Sequence, residues 1–215
     1  MNLIGIEDYY DDIRLEVPAA PNPIIQSRIR LAAIEACKRT LVSHETLDSV
    51  DIEAAVSEYK LEPPSSCFRI WRVMWVKTPN IVLFPSSRTN LESMGLDWER
   101  GTGEAPTDFI SIAADTIQLY PIPTLDISEA FVPHVAFIPD PKTTHLDDRL
   151  YYYYKEAIVA GALSKLLRMS GTKWYDPKAA IIRESEFQIE LSKMLANAKK
   201  DEGVADLQVT MRPFA

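Results

Sequence analysis

The chain has 215 residues, 47% of them hydrophobic, which is enough apolar material for a real core in one or two domains. Its 23 basic and 31 acidic residues leave a net charge of -8, which argues against a protein that grips nucleic acid by neutralising phosphates. No apolar run reaches the roughly 18 to 20 residues that span a bilayer, and the acidic opening lacks the basic start of a signal peptide, so a cytosolic protein is expected.

Residues 1–21 read as an acidic leader: Glu7, Asp8, Asp11 and Asp12 surround Tyr9 and Tyr10, and a proline-spaced stretch from Val17 to Pro23 closes it. The four acids have neither the twelve-residue loop nor the central glycine of a calcium site, so a solvated segment is expected. Asn22 as cap and Pro23 in the first turn then open a helix whose apolar face includes Ile25, Ile29, Ala32, Ala33 and Ala36, ending near residues 40–44.

From residue 47 the period changes to two. Val50 and Ile52, Tyr59 and Leu61, Phe68 and Ile70, Val73 and Trp75, Phe109 and Ser111, and Ile117 and Leu119 alternate as strands do, with prolines at their ends or edges. A tight turn at residues 113–116 and a helical excursion at 89–98 interrupt an antiparallel β domain, read as a meander over residues 47–143.

Helical spacing returns with Leu150, Tyr154, Ala157, Ile158, Gly161 and Leu163, and again with Phe187, Leu191, Met194, Leu195 and Ala198. Between them Gly171 supplies a left-handed helix end, Asp176 a cap and Pro177 a first helical position, with Trp174 over the joint. Gly161, costing its helix about 1 kcal/mol relative to alanine, marks with Ala157 a notch for a close backbone approach. The predicted fold is α+β: residues 22–46 and 144–200 form an antiparallel helical bundle, the β domain is inserted in it, and 201–215 is an extended arm. In that arm Leu207, Val209 and Met211 alternate before Pro213 and Phe214, a pattern suited to strand addition on a partner.

Catalytic chemistry finds little to stand on. His44, His134 and His145 match no zinc or triad spacing, and Gly101-Thr102-Gly103-Glu104 lacks the residues of a phosphate or dinucleotide loop. Cys37, in a helical pattern, and Cys67, at a strand start, have no C-x-x-C spacing and read as reduced buried thiols. No cofactor, metal or catalytic residue is expected. An enzyme or regulator with a small-molecule site near Trp71, Trp75 and Trp98 is the alternative. The run Tyr151, Tyr152, Tyr153 and Tyr154 covers more than one helix face, so two rings must point away from the core. Wide burial between bundle and sheet and a subunit interface both accommodate it.

The order of pieces (a proline-initiated helix, an all-β middle, the helix Glu156-Ala157-Ile158-Val159-Ala160-Gly161-Ala162-Leu163, the joint Gly171-Thr172-Lys173-Trp174-Tyr175-Asp176-Pro177 and a final helix) resembles head-to-tail adaptors of tailed bacteriophages over residues 22–200. It is closest to the short-tailed-phage, tail tubular protein A-like type. The resemblance implies a non-enzymatic virion protein of the neck, assembled in the host cytoplasm as a dodecameric ring between portal and tail. Its partners would be further copies of itself, the portal protein, a downstream tail or nozzle protein, and double-stranded DNA passing without sequence-specific binding. Tyr151, Tyr152, Leu207, Val209, Met211, Pro213 and Phe214 are the residues expected at subunit or portal contacts. Another ring component, such as a tail completion protein, fits the same composition.

Overall fold

The computed structural model describes residues 2–93, 95 and 97–201. In chain order the elements are β1 (Leu3–Gly5), a 3-10 helix (Ile6–Tyr9), α1 (Tyr10–Arg14), α2 (Asn22–Thr40), β2 (His44–Thr46), β3 (Val50–Ile52), β4 (Glu58–Lys60), β5 (Phe68–Lys77), β6 (Val82–Leu83), α3 (Arg88–Ser93), β7 (Thr102–Gly103), β8 (Asp108–Ala113), β9 (Thr116–Tyr120), β10 (Ile122–Pro123), β11 (Ile127–Pro139), β12 (His145–Asp147), α4 (Asp148–Tyr152), α5 (Lys155–Leu167) and α6 (Pro177–Asp201). The protein is mixed helix and sheet, in agreement with the α+β class. The expected arm, with Leu207, Val209, Met211, Pro213 and Phe214, lies outside the described residues.

The leader departs from the solvated segment read from its acids. Ile6, Tyr9, Ile13 and Val17, spaced by three or four residues, are each 0% exposed and join the helical core. β1 pairs antiparallel with β12, placing Leu3 opposite Asp147. Glu7, Asp8 and Asp11 stay outside, while Asp12 meets Lys155 Nζ at 2.6 Å and Glu16 pairs with Arg183. The apolar spacing, not the charge count, decides where the segment goes.

Pro21, extended at φ -66° and ψ 143°, is the residue before α2, and its carbonyl accepts from Ile24 and Ile25 N–H. Asn22 is already helical, and its side chain accepts instead from Arg14 Nη2 at 2.5 Å. The helix stops because Leu41 turns left-handed, φ 55°, and returns its N–H to Cys37 O at 2.9 Å. Ile25, Ile29, Ala32, Ala33 and Ala36 are buried with Ala157, Ile158, Leu163 and Leu166 of α5 and Phe187, Leu191 and Met194 of α6.

The helix expected to run through Leu150 and Tyr154 is broken. Asp147 caps α4 by accepting from Arg149 N–H at 3.1 Å, and the backbone leaves helical geometry at Tyr154 (φ -136°, ψ 22°) before α5 begins.

Among the strands, β11 is the spine. It pairs antiparallel with β2, β3 and β5, the sheet running β2-β11-β5-β6, while β4-β9-β8 form a second sheet. Alternation lets β11 serve two cores: Phe131, Val135 and Phe137 pack with Ile52, Phe68, Ile70 and Phe109, and Ile138 joins the helical core. The strands are therefore not a meander. β5 reaches β11 across an intervening excursion, β7 and β10 pair in parallel, and β2, upstream of residue 47, belongs to the sheet.

Candidate assembly surface

The tyrosine run straddles the break between α4 and α5, and the break sorts its rings. Tyr152 and Tyr153 are 70% and 76% exposed, whereas Tyr151 and Tyr154 pack against the helical core. Tyr151 meets Tyr9 edge to face at 5.3 Å between centroids and carries Lys155 Nζ 4.6 Å over its ring. Tyr151 is therefore tied to the leader, and Tyr152, which meets it edge to face at 5.6 Å, and Tyr153 face outward. Tyr153 and Tyr154 line a groove of about 380 Å³ with Val42, Arg149 and Asn197. The groove therefore brings the tyrosine run beside the C-terminal part of α6.

The joint between α5 and α6 is held by local chemistry. Gly171 sits at φ 79°, a conformation that favours glycine. Asp176 Oδ1 accepts from the N–H groups of Lys178 and Ala179, both at 3.0 Å, and Pro177 is the first residue of α6. Trp174 is half-buried against the helical core, its Nε1 without a hydrogen-bond partner among the described residues. At Gly161 the close approach is made by side chains and not by a backbone: a Cβ there would lie 2.9 Å from Phe187 Cε2 and 3.0 Å from Ala32 Cβ.

Histidines the sequence set apart come together across β2 and β11. His134 Nε2 lies 3.0 Å from His44 Nδ1, its Nδ1 lies 2.8 Å from Thr46 Oγ1, and Trp75 stacks on its ring at 4.5 Å. Burial, then His44 and Arg149, hold its pKa down at about 4 against the ordinary 6.5. Held neutral at pH 7, the His134 ring can share one hydrogen bond with His44 across this seam between strands. His145 lies apart, with Thr144 Oγ1 3.0 Å from its Nδ1. Cys37 is buried and Cys67 half-buried, both as free thiols, and burial pushes the Cys37 thiol up to about 12.

Among the described residues no group of three or more histidines, cysteines and carboxylates is placed to hold a metal ion. The three tryptophans considered for a small-molecule site do not converge. Trp75 lines a cleft with Thr46, Lys77 and Val132; Trp71 lies under Lys38; Trp98 packs with Leu91, Ile110 and Tyr120.

A family model described as SU10 adaptor protein matches residues 5–212. The chain belongs to that family. The match takes in the leader from residue 5, both helical segments and all the strands from β2 to β12, and it agrees with the resemblance of the element order to phage head-to-tail adaptors. SU10 adaptor membership points to a structural rather than a catalytic protein. A comparison with curated proteins finds no match. No helix among the described residues is long and apolar enough to cross a membrane.

Proposed function

We propose that this chain is a head-to-tail adaptor of a tailed phage, a member of the neck that joins the portal to the first tail component as a closed ring, dodecameric by resemblance, and continues the DNA channel. The observation that carries this reading is the match to the SU10 adaptor family along nearly the whole chain. In this reading the helical part, residues 22–46 and 144–200, builds the ring, the β domain of residues 47–143 is inserted in it, and the arm of 201–215 reaches a partner. Tyr152 supports it, a large amphipathic ring held outward where tyrosine suits an interface; Tyr151, anchored to Tyr9, positions it.

An excess of acids favours passage over capture, because a wall that does not hold phosphates lets DNA slide. Antibody labelling of intact virions tests the placement: label confined to the junction of head and tail is expected, and label on the capsid shell or the distal tail would overturn it.

A further inference from the structure

The leader and the α2–α5 face carry features of opposite charge, each beside an exposed leucine, Leu15 on the leader and Leu31 on α2. On the leader, Asp8, Asp11 and Leu15 recur at spacings of three and four and so share a face, opposite Tyr9 and Ile13, which are 0% exposed. Leu15 is 85% exposed, and Asp8 and Asp11 make no ion pair among the described residues. Of the leader's other three acids, Asp12 is paired with Lys155 and Glu16 with Arg183, while Glu7 is exposed.

On α2, Leu31, Ile34, Glu35 and Lys38 are spaced as one helix face, and with Arg39 and Lys165 of α5 they line a groove of about 360 Å³. Its floor is apolar. Its rim has three cations against one carboxylate, and that carboxylate, Glu35, is already held by Lys165 at 2.7 Å and Arg39 at 3.6 Å. On a chain of net charge -8 this rim is a local excess of positive charge.

A lone exposed leucine is ordinary. Here it stands on an acidic face, and the same surface elsewhere offers an apolar groove with a basic rim. We propose that the groove lined by Leu31, Ile34, Lys38, Arg39 and Lys165 receives the Asp8–Asp11–Leu15 face of a second copy of this chain, Leu15 entering the floor and the two carboxylates meeting the rim. In the ring reading the contact runs head to tail: each copy offers its leader to one neighbour and its groove to the other, an arrangement that closes into a ring where the rotation per copy allows. The inference rests on the ring reading above and adds which faces join. It also gives the exposed acids a steering role that weakens with salt.

The test is sedimentation of the full chain over a range of concentrations, for the wild type and three variants: Leu15→Ser, Asp8→Lys with Asp11→Lys, and Lys38→Glu. All three change exposed side chains, and thermal melting checks that each is folded. Each should raise the concentration for half-assembly by about tenfold or more, the scale of losing one buried leucine or reversing a charge contact. Mixing the Asp8→Lys, Asp11→Lys chain with the Lys38→Glu chain should restore part of the assembly, since the wild-type leader of one chain then meets the wild-type groove of the other, and the reversed leader meets a groove whose rim no longer carries a net positive charge. Folded variants that assemble like the wild type, or a mixture that fails to recover, overturn the contact while leaving the ring intact. A wild-type chain that stays monomeric at every concentration, with its portal present or absent, overturns the ring reading as well.

Discussion

The Phe187 ring of α6 lies directly over Gly161 of α5, so close that a Cβ on Gly161 would be 2.9 Å from Phe187 Cε2. Two opposing effects meet at this position. Alanine would favour the helix by about 1 kcal/mol, while forcing a methyl between Phe187 and Ala32 costs about 1–3 kcal/mol of overpacking. The packing term wins because both neighbours are fully buried and cannot swing aside. Gly161→Ala is expected to destabilise by about 1 kcal/mol, and Phe187→Leu, by opening the space, should make the same substitution less costly. Urea midpoints of the two singles and the double check the coupling.

The hairpin joint gives a second prediction. Trp174 is only half-buried and its indole N–H has no partner among the described residues, so Trp174→Ala should cost about 2 kcal/mol, less than the 3–5 kcal/mol of a fully buried tryptophan. A thermal midpoint equal to that of the wild type would show that the ring does not hold the two helices together.

These two sites show what was legible in the sequence. The joint was readable because Gly171, Asp176 and Pro177 act through their own backbone and that of the next turn. Gly161 was readable as a close approach, but what approaches could not be known, since Phe187 comes from another helix. The leader was misread because four acids outweighed the spacing of Ile6, Tyr9, Ile13 and Val17. The pairing of β11 with β2, β3 and β5 joins distant segments, and local alternation carries no information on such partners. The break at Tyr154 and the His44–His134 contact likewise depend on tertiary packing.

The pH dependence follows from His134. Its folded pKa, about 4, is below the ordinary 6.5, so between those values the unfolded chain binds more protons than the folded one. The stability this group contributes is full above pH 6.5 and is lost as pH falls toward 4. Asp147, whose carboxyl is pushed up by burial, contributes with the opposite slope. The comparison is therefore between wild type and His134→Gln, which keeps a hydrogen-bonding group of similar size. The acid-side fall in urea midpoint should be shallower in the variant, and an unchanged profile would remove His134 as its source.

Tyr152→Ser tests the tyrosine run. With its side chain 70% exposed, the substitution should change monomer stability by no more than about 0.5 kcal/mol. Assembly should nevertheless weaken, seen as a lower fraction of ring at fixed concentration. A melting shift with unaltered assembly would assign Tyr152 to the fold instead.

The arm is tested by deleting residues 204–215, which contain Leu207, Val209, Met211, Pro213 and Phe214. The shortened chain is expected to melt with the full-length chain and to lose binding to portal. Unchanged portal binding, or a destabilised monomer, would reject the arm as a partner-seeking segment.

The central claim, that copies of this chain close a ring on the portal, is tested most directly by native mass measurement of the full chain mixed with the phage's purified portal assembly. One dominant species is expected, heavier than the portal by a fixed whole number of chains, twelve by resemblance. A portal of unchanged mass beside free monomer, or a spread of masses with no closed stoichiometry, would contradict it.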